Sequence, residues 1–205
     1  MQKDSFLKVG LVTFPEERNI NINMMPFIIG DKNSIPDEYQ HYYPIIEQCK
    51  VPIEEIGKIG YLSISEGIVK KNCSQRRGGI HTEKHQTHRW GNGTSTGWGG
   101  RTGLYMASTV NNSCMAWNVH VENTGVMGDC EHMREILGKG EFMKKNELIW
   151  MTDSCPHESM KLEKDSYRQW FRFVTSEVGV WYKKHSTENR LGILPNCKII
   201  TESKF

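Results

Sequence analysis

The chain has 205 residues, a formal net charge of +2 from 26 basic and 24 acidic side chains, and six cysteines. Its length favours a single domain whose core needs no covalent staple. The near balance of charge, with no block of one sign, excludes a broad nucleic-acid-binding face but leaves room for a small basic pocket.

None of the cysteines (Cys49, Cys73, Cys114, Cys130, Cys155 and Cys197) forms a CxxC pair. Reduced, mostly buried thiols are expected rather than a thiolate zinc site or a disulfide framework. The opening "MQKDSFLKVGLVTF" lacks the apolar core of a signal peptide, and no run of 18 apolar residues occurs. A cytoplasmic protein with no membrane segment is the expectation. The closing "SKF" differs from a peroxisomal SKL ending at its last residue.

In chain order, strand signals outnumber helix signals. "FLKVGLVTF" (6–14) reads as a strand closing before Pro15, and a helix over 36–48 is entered through Ser34 and interrupted by Pro44. "KIGYLSISEGIV" (58–69) alternates in part, with Ile59, Tyr61, Ser63 and Ser65 facing one way and Leu62 and Ile64 the other. "GGIHTE" (78–83) reads as a short strand after a turn. The tract 91–103 has six glycines in thirteen residues, and so reads as a long loop and a candidate lid carrying Trp98. "GLYMASTV" (103–110) and "SCMAWNVHVE" (113–122) predict a hairpin through Asn111 and Asn112. "DCEHMREILG" predicts a short helix capped by Asp129 and stopped by Gly138. "KKNELIWMT" gives a turn and a buried strand, "CPHESMKL" another strand, and "SYRQWFRFVTSEVGVW" a long alternating one. The pattern predicts a mainly β (α+β) sandwich or barrel with helices packed outside. Within one domain, 1–57 reads as an N-terminal α/β extension, 58–176 as the core and 177–205 as a C-terminal segment.

Residues i and i+2 of a strand project from one face about 7 Å apart, so His81 and Glu83 can hold one cation between them. His157, 76 residues later, is the candidate third ligand, which completes a facial set of two histidines and one carboxylate. Arg168 and Arg172 follow on one face of an alternating strand, with Trp170 and Val174. Two arginines on an inward face are costly unless an acid or anion meets them, and the guanidinium fork suits a carboxylate.

In order and spacing, "HTE" (81–83), His157 and Arg168 resemble the Fe(II)/2-oxoglutarate-dependent oxygenases, which are built on a double-stranded β-helix, or jelly-roll, of the cupin-like kind. The resemblance covers roughly residues 58–176. It implies that His81, Glu83 and His157 bind Fe(II) and that Arg168 grips the far carboxylate of 2-oxoglutarate. Arg172 sits where some members use a second arginine for an anionic substrate or the cosubstrate. It also implies oxidation of a C–H bond in a small-molecule or peptide substrate, with succinate and carbon dioxide as co-products. Glu83 departs from the aspartate commoner in the family, and its extra methylene moves the carboxylate outward.

Other readings compete. "HTEKH" is not HExxH, and nearby glycines disfavour a helix pairing His81 with His85, so a zinc hydrolase is disfavoured. His85 and His88 read as loop residues, His120 and His132 as structural, and His41 and His185 as solvent-facing. Arg76 and Arg77 in "SQRRGG" read as a surface turn, with contact to an acidic substrate as the alternative. Asp153, Cys155 and His157 show no nucleophile elbow. A non-catalytic jelly-roll, structural or binding, and a cupin-like metalloprotein with other chemistry remain as alternatives, because fold alone does not prove activity.

Overall fold

The computed structural model describes residues 4–84 and 103–203. His85, His88, Trp98 and all of the candidate lid except Gly103 lie outside the described residues. The strands are β1 (Phe6–Leu11), β2 (Asn21–Ile28), β3 (Ile59–Val69), β4 (Leu104–Ser108), β5 (Cys114–Ala116), β6 (Glu141–Phe142), β7 (Glu147–Met151), β8 (His157–Ser159), β9 (Ser166–Val174), β10 (Val180–Tyr182) and β11 (Lys198–Ile200). The fold is mainly β with few helices. A six-stranded antiparallel sheet runs β1-β7-β4-β9-β3-β2, and a three-stranded one runs β6-β5-β8. β10 and β11 form a separate parallel pair. Among the described residues, no helix is long and apolar enough to cross a membrane.

The alternation of β9 explains the layering. Phe171 and Phe173 join Leu62, Ile64, Phe27 and Trp150 in a core that is closed on the outside by the helix α1 (Tyr43–Gln48), through Ile45 and Ile46. Trp170 and Val174 face the other way, into a second core with Met106, Cys114, Ala116, Ile149 and Met151. That second core lies between the two sheets. The outer face of the small sheet carries Trp117, packed with Ile80, Val121 and Cys130 under the short helix α2 (Arg134–Leu137). Each large apolar side chain fully removed from water in these layers contributes about 1.5–3 kcal/mol. The two faces read for β3 are as observed: Ile59 and Tyr61 pack toward the inter-sheet core, Leu62 and Ile64 toward the outer one.

Several expected elements differ. β4 and β5 do not pair as a hairpin; they belong to different sheets, and the turn at Asn111 and Asn112 carries the chain across from one to the other. The strand read over 78–83 reduces to single bridges from His81 to Asp129 and to His157. The segment 36–48 divides into a 3-10 stretch, Asp37–Tyr42, and α1, and Pro44 sits in the first turn of α1 instead of interrupting it. Proline there removes only a donor that a first helical turn leaves unused. Ser34 closes an earlier turn, accepting from the Ile28 N–H. The helix at 129–138 is a 3-10 turn, Glu131–Met133, running into α2, and Gly138, with φ of +60°, ends it. β2 was not foreseen. All six cysteines are free thiols.

Candidate functional site

A cavity of about 350 Å³ opens between the sheets, lined by Met106, Arg168, Trp170 and Arg172 from the large sheet and by Cys114, His157 and Ser159 from the small one. His81, Glu83 and Arg76 reach it from the segment between β3 and β4. His81 is locked to β8 by paired bonds: its N–H donates to the His157 carbonyl at 3.0 Å, and the His157 N–H returns to the His81 carbonyl at 2.9 Å. The two imidazoles are thereby neighbours, with ring centroids 4.5 Å apart.

Each ring is oriented from behind. His81 Nδ1 lies 2.8 Å from the Gly79 carbonyl and His157 Nδ1 lies 3.0 Å from the Cys155 carbonyl. A carbonyl only accepts, so a neutral imidazole carries its proton on Nδ1 and presents a bare Nε2. This is the support a metal-binding histidine ordinarily has. Burial, with His157 beside it, pushes His81 down to about 3, and burial likewise lowers His157, so both rings are neutral at physiological pH.

Glu83 completes the group. Its Oε1 accepts from Arg172 Nη1 at 2.7 Å and stands 3.9 Å from His157 Nε2. A lone pair facing a carboxylate oxygen with no proton between them is unfavourable, and a cation between them relieves it. Two donors of a facial set, each about 2.1 Å from one ion, stand about 3 Å apart, so at 3.9 Å Glu83 has to swing from Arg172 toward His157 to share an ion with it. Among the described residues, no three His, Cys, Asp or Glu side chains stand together closely enough to hold a metal ion as they are placed. The donor types, with both imidazoles committing Nδ1 to the backbone and leaving Nε2 for the cavity, nevertheless suit a divalent ion, with Glu83 now leaning toward Arg172.

Arg168 is 1% exposed. Among the described residues its guanidinium donates only from Nε to Ser108 Oγ, at 2.9 Å, and no carboxylate meets it. Burial lowers it to about 10, which leaves it charged at neutral pH. An acid-free guanidinium at this depth costs several kcal/mol until an anion arrives. Arg172 shares its face and also lies by Trp170, 5.3 Å from the ring centroid.

Arg76 departs from the surface-turn reading. It is partly buried, with its guanidinium carbon 4.4 Å from the Trp170 ring centroid and Nη2 donating to Asn23 Oδ1 at 3.2 Å. Arg77 stays at the exposed rim, donating to the Met127 carbonyl and lying 3.9 Å from Asp129. His185 is half-buried and lines the cavity instead of facing solvent. His41 is half-buried against Tyr42. His132 is exposed, and His120 follows β5 in a loop. Asn23 and Ser159 were missed by sequence reasoning. Ser159 lies two residues from His157 on one strand, so period-two spacing could have found it, whereas nothing local marks Asn23. No protein-family model, curated protein or solved structure matches the chain.

Proposed function

We propose that the chain is an Fe(II)- and 2-oxoglutarate-dependent oxygenase on a double-stranded β-helix. The path of the chain supports that fold. β3, β4, β7 and β9 lie in the large sheet, and the His81 bridge, β5, β6 and β8 in the small one. From β3 to β9 the polypeptide changes sheet at every step except between the paired strands β5 and β6, as expected of two sheets wound together into a jelly-roll.

The observation that carries the function is the pairing of two neutral, carbonyl-anchored imidazoles beside Glu83 with a buried, acid-free guanidinium in the same cavity. One element set suits a ferrous ion and the other a carboxylate. His81, Glu83 and His157 would hold the metal. Bound there, Fe(II) supplies activation of dioxygen, which is reduced as 2-oxoglutarate leaves as succinate and carbon dioxide and one oxygen atom enters a substrate C–H bond. The residues of the chain do the rest. Arg168 pairs with the distal carboxylate of 2-oxoglutarate and fixes its direction. Arg172 holds the Glu83 carboxylate in place through Nη1. Trp170 and Met106 wall off water from the two.

A second reading, a non-catalytic jelly-roll that binds an acidic ligand, draws on Glu83 being engaged by Arg172 already. Calorimetric titration with 2-oxoglutarate, with Mn(II) present as a redox-silent metal, separates the two. One equivalent should bind, with affinity that depends on the metal, and Arg168→Gln should weaken it at least thirtyfold, about 2 kcal/mol for a lost charge-assisted pair. Binding that ignores both the metal and Arg168 would remove the oxygenase reading.

A further inference from the structure

We propose that the cavity has a second anion receptor, centred on Arg76, which takes the carboxylate or phosphate of a small anionic substrate. Its assignment to the substrate rests on the oxygenase reading; the receptor itself rests on charge and geometry. With Arg77 turned to Met127 and Asp129 at the rim, Arg76, Arg168 and Arg172 face the cavity against Glu83, its single lining carboxylate among the described residues. A divalent metal and a dianionic cosubstrate cancel each other, so both can bind and the excess of positive charge remains. One further anion relieves it.

Arg76 is the group positioned for that anion. It has no carboxylate partner among the described residues, and burial together with repulsion from Arg172 lowers it to about 10, so it stays charged at neutral pH. It lies over Trp170, two residues along β9 from Arg168, so the two guanidiniums address different parts of the cavity. Ser159 Oγ, in a residue 8% exposed that also lines the cavity, has no hydrogen-bond partner among the described residues.

The backbone is bent to support Arg76. β2 slips register against β3 between Ile22 and Met25, and buried Met24 takes a left-handed φ of 49°. That conformation is strained in a residue other than glycine. Trp181 Nε1 donates to the Met24 carbonyl at 2.7 Å and holds the bulge. Beside it, Asn23 is pinned by donating from its backbone N–H to Thr187 Oγ1 at 3.0 Å and from Nδ2 to the His185 carbonyl at 2.6 Å. Its Oδ1 is thereby fixed to receive Arg76. Bulges re-aim side chains in this way next to functional sites. A cavity of about 350 Å³ is at the lower end for small-molecule sites, which favours a metabolite over a polymer.

The test titrates inorganic phosphate and, separately, acetate into metal-free protein at low ionic strength, and 2-oxoglutarate into protein with Mn(II). In the wild type, at least one of the two small anions should bind saturably and should still bind when 2-oxoglutarate is saturating. Preference for phosphate or for acetate identifies the headgroup. Arg76→Gln should weaken that anion at least tenfold and Asn23→Ala by a smaller factor. Arg168→Gln should leave it within twofold while losing 2-oxoglutarate. Loss that follows Arg168 and not Arg76, displacement by 2-oxoglutarate, or no binding of either anion would overturn the receptor. Anion binding that depends on Arg76 in a protein blind to 2-oxoglutarate would keep the receptor and remove the oxygenase reading instead.

Discussion

His81 and His157 each commit Nδ1 to a backbone carbonyl and sit in a pocket that disfavours their charged forms. In metal-free protein this has a thermodynamic consequence. An unfolded histidine takes up a proton as pH falls through about 6.5, whereas folded His81 resists it until about 3. Between those values the unfolded state holds more protons, so stability is full above the window and declines as pH falls through it. The slope is at most about 1.4 kcal/mol per pH unit for each group. Urea unfolding with a chelator present should show the decline, and His81→Gln should flatten it; a wild-type profile already flat from 6.5 to 3 contradicts the neutral pair. At this scale the shared face of Arg168 and Arg172 on β9 was legible, because period-two alternation says which side chains of a strand point together; His81 and Glu83 line the same cavity from a segment that is not a strand, so that alternation does not account for their placement. Arg76 was not legible: "SQRRGG" carries the composition of a turn, and nothing local encodes a guanidinium folded back onto Trp170.

The segment that carries Glu83 is not a strand and owes its place to its neighbours. The Thr82 N–H donates to the Gly128 carbonyl at 2.9 Å and the Lys84 N–H to the Asp153 carbonyl at 2.8 Å, while the Ile80 N–H reaches Glu131 Oε2 at 3.0 Å. Gly128 has a φ of +76°, and a Cβ there would come within 2.3 Å of the Thr82 carbonyl oxygen and 2.9 Å of that of Lys84. Gly128→Ala must therefore displace 82–84 and the Glu83 carboxylate with it. Mn(II) affinity should fall at least tenfold, and stability by about 1–3 kcal/mol, as strain of this kind costs. Unchanged Mn(II) affinity in a folded Gly128→Ala protein would show that Glu83 takes no part in binding. Turn chemistry explains what sequence reasoning missed among the elements. Asn111 and Asn112 do mark a turn, but a turn signal does not say which sheet the next strand joins. β2 was hidden by Pro26, which is tolerated because β2 is an edge strand, paired only with β3.

Across the whole molecule, the two sheets divide the work. The outer face of the large sheet, with α1, is an apolar core crossed by one satisfied polar network, in which Glu66 Oε1 accepts from Tyr42 at 2.6 Å and from Gln169 at 3.2 Å. The inner face turns Arg168 and Arg172 into a cavity that Arg76 and Arg77 also line, with Glu83 its one carboxylate among the described residues, an arrangement stable folding alone would not favour. The 1–57 extension supplies both edge strands of the large sheet, and the 177–205 segment ties across β2 through Trp181, Thr187 and Asn189. The mainly β class was readable from the run of short alternating segments; the strand order was not, since pairing across more than a hundred residues leaves no local mark. The most direct test of the central claim is anaerobic titration of Fe(II) into the protein with 2-oxoglutarate present, followed by visible absorption. The account predicts one Fe(II) per chain with a weak charge-transfer band, and loss of both in His157→Ala. Absence of Fe(II) binding in the wild type, or a band that survives in His157→Ala, would contradict it.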